Sequence, residues 1–348
     1  MRLRLLIREG QHPSLDGEVK ISRTRRVFIT DDYIGERSRD LHEQRVWYFV
    51  SHWPLRSLWN LEGIPMKTVA TRTWKSILAD RLFGRAAELG FYFLFALFPT
   101  LFSASSILGL AANSAQGFYD KLLSYLALVI PTGALGAVLK TFNETTAAAT
   151  SGKLTFGVVA AIWSAAVGIS AIQDALNSVY KIKDSRSYLK ARVYAIGLTI
   201  ILTIIVTVEL SALLGGDFFA AIASHRIHNR FLLLLVAAFA RLIGWTIATV
   251  LLALSFAVIY YWAPDLKKRR WRWFTPGGAF GILGWLVASL GLRVYLHFFD
   301  SYSVTYGSLG AVIILLTWFY ITGLMLLVGA EINSEIEAAA ADNELKGQ

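Results

Sequence analysis

The stretch LGAVIILLTWFYITGLMLLVGA, residues 309–330, runs for 22 residues without a charged side chain. As a helix rising 1.5 Å per residue it measures roughly 33 Å, enough to cross a hydrocarbon layer of about 30 Å. Working back from it, comparable apolar runs occupy residues 89–112, 154–179, 193–214, 231–263 and 274–299. The chain has 348 residues, of which 55% are hydrophobic and 17% charged, where a soluble chain carries about a quarter charged. The expected fold class is therefore all-α: a polytopic membrane bundle of about six transmembrane helices plus amphipathic interfacial helices.

The run over 231–263 would make a helix near 50 Å long, so the reading divides it at Arg241 and Gly244 into an interfacial piece, 231–240, and a fourth span, 242–263. Residues 215–230 are read as an outer connection. Pro99 lies inside the first span, where its lost backbone bond implies a kink facing protein. Residues 117–141 carry Asp120, Lys121 and a central Pro131-Thr132-Gly133, and are read as two short outer interfacial helices. Before the first span, Trp74, Ile77, Leu78, Leu82 and Phe83 recur at helical spacing among Lys75, Arg81 and Arg85, as in a helix lying on the inner membrane surface.

Three regions result: a cytoplasmic, irregular tail over 1–65, a six-helix membrane domain over 66–337, and a helical, acidic, alanine-rich cytoplasmic tail over 338–348. Met66 opens the amphipathic helix and is a second reading of where translation starts. The apolar stretch at 1–7 is too short and too interrupted by arginines for a cleavable signal.

The formal net charge is +10, but the basic residues crowd beside apolar runs. Lys181, Lys183, Arg186, Lys190 and Arg192 follow the second run, and Lys267-Lys268-Arg269-Arg270-Trp271-Arg272-Trp273 lies between the fourth and fifth. Such placement is an orientation signal with an aromatic belt and not a nucleic-acid footprint. It puts both termini in the cytoplasm of a bacterial inner membrane. With no cysteine, disulfides and thiolate metal sites are excluded.

Ionisable side chains at bilayer depth cost a few kcal/mol each and should face protein or water. Asp174 lies about two turns inside Lys181, with Asn177 on the same helical face. Glu209, Arg241, Arg293 and His297 fall in the outer thirds of three spans, and Glu209 is expected to pair with Arg293. These six are the candidates for lining a substrate path. Glu331, Asn333 and Glu335 fall at the inner end of the last span, where snorkelling would make them inexpensive. Catalytic machinery is thin. His225 and His228 lack a third ligand, and no phosphate-binding loop, dinucleotide fingerprint or Gly-x-Ser-x-Gly elbow appears. No cofactor, metal or enzymatic activity is expected.

Over residues 81–337 the chain resembles the YihY/BrkB family of bacterial inner-membrane proteins. The resemblance rests on Tyr306-Gly307-Ser308-Leu309-Gly310, Trp318, and Gly329-Ala330-Glu331-Ile332-Asn333. Further matches are Phe98-Pro99, Trp163-Ser164, Asn177, Tyr261 with Pro264, and Pro276-Gly277. It implies a six-helix protein of the cell envelope, and its old ribonuclease label is read as a misassignment. Gly307, Gly310, Gly323 and Gly329 allow close helix approach, expected inside one subunit ahead of a dimer interface. The function expected is transport or handling of a lipid or other envelope component, with membrane lipids as partners. A homo-oligomer or envelope proteins are the further partners it admits, and no nucleic acid. A non-catalytic envelope scaffold is the alternative. An intramembrane hydrolase is the third reading, and would need His297, Glu209 or Asp174 to converge.

Overall fold

The computed structural model describes residues 31–52, 65–110, 151–226, 230–298 and 308–346, with single positions at 55, 58, 59 and 136. Helices and no strands occur among the described residues. In chain order they are α1 (Asp31–His52), α2 (Met66–Ala79), α3 (Leu82–Leu110), α4 (Ser151–Val179), α5 (Tyr188–Arg226), α6 (Arg230–Trp262), α7 (Pro276–Phe298) and α8 (Ser308–Lys346). Among the described residues, five stretches are long and apolar enough to cross a membrane: Thr155–Val179, Tyr188–Leu213, Leu234–Trp262, Pro276–Phe298 and Leu309–Lys346. The first expected span falls on α3, which continues through Pro99. The interfacial pair expected over 117–141 lies outside the described residues, apart from position 136.

The helices are longer than the sequence reading made them. α6 runs unbroken through Arg241 and Gly244. Gly244 is a contact position and not a break: a Cβ there would come within 2.8 Å of the Ala212 carbonyl oxygen on α5. Interrupting the helix in lipid would strand backbone groups, so continuity is the cheaper solution. α5 likewise extends to Arg226, taking in most of the expected outer connection. α8 has 39 residues, roughly 58 Å at helical rise, so it reaches far beyond its apolar part. The residues expected to form a tail from 338 onward continue this helix, and Ala338, Ala339, Ala340 and Ala341 are buried.

Residues 31–52, read as irregular, form α1. Val46 and Val50, four apart, are buried in the main core, with Trp47 and Phe49 half-buried against it and Arg45 and Tyr48 exposed. Tertiary contact thus supplies what the weak sequence period does not. α2 presents Val69 toward Ile336, Ala339 and Ala340 of α8 and leaves Trp74 and Leu78 exposed on another face, as expected of a helix at a membrane surface.

Along the bundle α7 packs on α8, α8 on α3, α3 on α4, α4 on α5 and α5 on α6. α6 and α7 meet only lightly, where Phe256 and Tyr260 approach Gly281 and Gly278. The main core lies toward the end that carries the α4–α5 and α6–α7 loops, among Leu176, Val179, Leu198, Val258, Leu327 and Ala330. This is called the basic end below. In the opposite half a second cluster, Leu296, Ile314 and Leu315 with Leu94 and Leu97, joins α3, α7 and α8. α5 and α6 pack along each other as a pair. Between α5 and α6 lies an apolar groove of about 680 Å³, bordered by Ala212, Phe239, Ile243 and Ile247.

Candidate functional site at the basic end

Most of the polar side chains that matter collect at the basic end, where helix ends and loops are tied together. The first tie is made by Asn177, in the last turn of α4. Its amide donates to Asp184 at 3.0 Å, and its carbonyl oxygen accepts from the backbone N–H of Asp265 at 2.7 Å. Asp184 in turn takes a two-pronged contact from Arg186, at 2.9 and 2.6 Å. Arg186 is almost fully buried and lies 3.8 Å from Asp265. Asp265 accepts from the backbone and hydroxyl of Ser185 at 2.8 and 2.6 Å. The hydrogen bonds from Arg186 hold the Asp184 carboxyl below the usual carboxylate range. Pro264, fully buried, ends α6 beside this network.

The second tie joins α7 to α8. Thr275 caps α7 by accepting from the Gly278 N–H at 2.9 Å, and Pro276 fills the first helical position. The Gly277 N–H, one of the donors that a helix start leaves unpaired, is taken at 2.9 Å by the Asn333 carbonyl oxygen. The Asn333 amide then donates to Thr275 at 3.0 Å. Close approach makes this geometry possible. A Cβ at Gly277 would overlap the Gly329 carbonyl, and one at Gly329 would overlap the Tyr260 hydroxyl, which donates to Leu326 at 2.8 Å. Gly329 is thus consumed by packing inside the subunit. So is Gly323, which sits against Leu89 and Ala86 of α3.

The third tie is a carboxylate-rich stretch of α8. Glu331, Glu335, Glu337 and Asp342 are all buried. The snorkelling expected at 331, 333 and 335 does not occur, because α1, α2 and the α6–α7 loop cover these positions. Asp342 accepts from Arg72 at 2.6 Å, from His42 at 2.8 Å and from Lys346 at 2.9 Å. Ser76 donates to Glu335 at 2.6 Å, and Arg272 pairs with Glu337 at 2.5 Å while also donating to the Leu55 carbonyl. Between them Asp80, in the α2–α3 turn, pairs with Lys181 at the end of α4. Arg85 donates to the Asp80 carbonyl and to Ser178. Burial pushes the Tyr180 hydroxyl, which faces a small chamber of about 30 Å³ shared with Arg272 and Glu337, well above its ordinary range.

Of the six candidate path residues, Asn177 is thus a structural clamp. Asp174 is exposed although it lies inside an apolar span, and Asp184, Glu88, Arg186 and Arg85 are the charged groups that act on it. Glu209, Arg241, Arg293 and His297 belong to the opposite half, on α5, α6 and α7. The Glu209–Arg293 ion pair is not formed between these two described residues: α5 packs on α4 and α6, whereas α7 packs on α8. Glu209 stands 21 residues above the start of α5, roughly 32 Å, so it does not converge with Asp174. Trp163 lies exposed beneath the Arg192 guanidinium, 4.4 Å from the ring centre. Trp318 donates to Ser289 at 3.3 Å across the α7–α8 seam, and Gly310 is buried. Tyr306 and Gly307 lie outside the described residues.

The sequence reading missed Asp80, Asp184, Asp265, Arg272, Thr275 and Glu337 as site residues. Each sits in a loop or beyond an apolar run, where charge looks like a solvated edge. The Thr-Pro-Gly opening of α7 was a cap signal that could have flagged Thr275. No group of three or more His, Asp or Glu placed to hold a metal ion occurs among the described residues.

The model of the virulence factor BrkB family matches residues 73–348. A putative ribonuclease-like protein, YfkH, of Bacillus subtilis is 33% identical over 250 residues, covering 72% of this chain and 88% of its own. UPF0761 membrane proteins of Xanthomonas oryzae pv. oryzae and Xanthomonas axonopodis pv. citri are each 26% identical over 266 residues, 76% of this chain. The chain spans about 60% of the length of these Xanthomonas relatives. No solved structure matches.

Proposed function

We propose, for a chain that belongs to the virulence factor BrkB family of membrane proteins, that it moves an amphiphile of the envelope across its membrane, passing the headgroup along a polar path in the bundle. The observation that carries this reading is Asp174. A carboxylate exposed inside an apolar span cannot face hydrocarbon without a cost of several kcal/mol, so the space beside it admits water. One further feature supports it: the apolar groove of about 680 Å³ between α5 and α6 has room for an acyl chain. Asp174 stands far from Glu209 along the bundle, so these two do not form the convergent site that the hydrolase reading needs.

The basic end faces the cytoplasm in this proposal, by the excess of lysine and arginine in its loops. α1, both basic loops and the end of α8 gather there: Lys268 donates to the Ser51 carbonyl and Trp59 to the Phe274 carbonyl. The membrane is then a bacterial inner membrane.

The test is movement of labelled phospholipid across proteoliposomes holding wild type, Asp174→Asn or Arg293→Ala at matched stability. Wild-type movement that both variants reduce at least tenfold supports the path. No movement by the wild type, with the protein folded, shifts the weight to an envelope scaffold.

A further inference from the structure

Glu331 differs from every other buried carboxylate at the basic end. It is fully enclosed, at 0% exposure, and both of its carboxylate oxygens lack a hydrogen-bond donor among the described residues. Glu335, Glu337 and Asp342 each have at least one donor. An ionised carboxylate in such a place would carry the full desolvation penalty with no compensating contact, whereas the protonated group is neutral.

Its neighbourhood is charged but already committed. Asp80 and Lys181 act on it from the α2–α3 turn and the end of α4, Glu335 from its own helix, and Tyr180 lies on the α4 side. Lys181 is engaged by Asp80, Arg85 by the Asp80 carbonyl and Ser178, Arg72 and His42 by Asp342, and Arg272 by Glu337. Of these cations Lys181 is the one whose charge acts directly on Glu331. Lys181 also holds a backbone φ of 52°, in the left-handed region that favours glycine, at the end of α4. A lysine at that position keeps a side chain where backbone geometry alone would choose none.

We propose that Glu331 is a proton-binding site whose ionised form competes with Asp80 for Lys181, so that one proton decides whether the α2–α3 turn stays tied to the foot of α4. With the proton bound, Lys181 belongs to Asp80, the arrangement described here. When the proton leaves to water at the basic end, the Glu331 carboxylate draws the Lys181 ammonium from Asp80, and the tie between the two segments loosens. The inference does not depend on the lipid path, since the proton can be detected in a protein that moves no lipid.

The experiment is infrared spectroscopy of the purified full chain in nanodiscs, following the carbonyl stretch of protonated carboxylic acid as the pH is raised. The wild type is expected to show this band at neutral pH, and Glu331→Gln, a neutral and nearly isosteric replacement, to lose it. Two variants that keep Glu331 give opposite signs. Asp80→Asn frees Lys181 and should move the loss of the band to lower pH. Lys181→Gln should move it to higher pH, each by about one unit, a tenfold change in proton affinity. A neutral-pH band that survives Glu331→Gln, no such band in the wild type, or a midpoint unmoved by both neighbours would overturn the proposal.

Discussion

Asn177 shows how one side chain can be read two ways. Its place on the polar face of α4 suggests a path-lining residue, yet its donor and acceptor are both taken, by Asp184 and by the Asp265 backbone. Removing it leaves a buried N–H without its acceptor. Asn177→Ala is expected to cost about 2 kcal/mol, seen as a lower unfolding temperature in detergent. Asp184, beside it, gives a pH-dependent counterpart. Arg186 holds its carboxyl below the ordinary value, so this stabilisation is complete above the unfolded-chain value near 3.9 and is lost as the pH falls from there toward the lower folded value. Arg186→Gln should therefore be less stable than wild type at neutral pH, with the gap closing in acid unfolding below pH about 4. Backbone strain acts at the same scale. Arg81 has a φ of 53° and an exposed side chain, so Arg81→Gly should raise the unfolding temperature, by roughly 0.5–1 kcal/mol of stability.

At the scale of elements, lipid removes the hydrophobic preference of one helix for another, and close packing with shared hydrogen bonds takes its place. The α7–α8 crossing is built this way from Gly277, Gly329, Asn333 and Thr275. Gly329→Ala is expected to cost about 3 kcal/mol and to lower the yield of folded protein on size-exclusion chromatography. Tyr260→Phe should recover only part of the loss, because the Gly277 carbonyl stays in place. These contacts also set what the sequence could disclose. Apolar runs found where each of the five candidate spans lies, since hydropathy and bilayer thickness act locally. They did not place the helix ends. Gly244 reads as a break in a string, but against Ala212 it is a contact. Ala338, Ala339, Ala340 and Ala341 read as part of a helical cytoplasmic tail, but beneath α1 and α2 they are core. The pairing of Asp80 with Lys181, 101 positions apart, leaves no local pattern at all.

At the scale of the molecule, the main core is concentrated toward the basic end, and a smaller apolar cluster joins α3, α7 and α8 in the opposite half. The basic end is the firm one, closed by α1, α2 and the last turns of α8. The charged residues sort with this asymmetry: clamps and buried carboxylates lie at the firm end, and Glu209, Arg241, Arg293 and His297 in the other half. Asp174 is the link between them, exposed within a span yet next to the clamp of Asn177. The chain has no cysteine, so single cysteines report local accessibility without background. The most direct measurement is labelling by a charged, membrane-impermeant maleimide of Asp174→Cys, with Val159→Cys on the apolar surface of the same helix as the control. Position 174 is expected to react when reagent is added on the side of the basic end, while position 159 stays unlabelled. Equal protection of the two positions would place Asp174 away from water and contradict a polar path through the bundle.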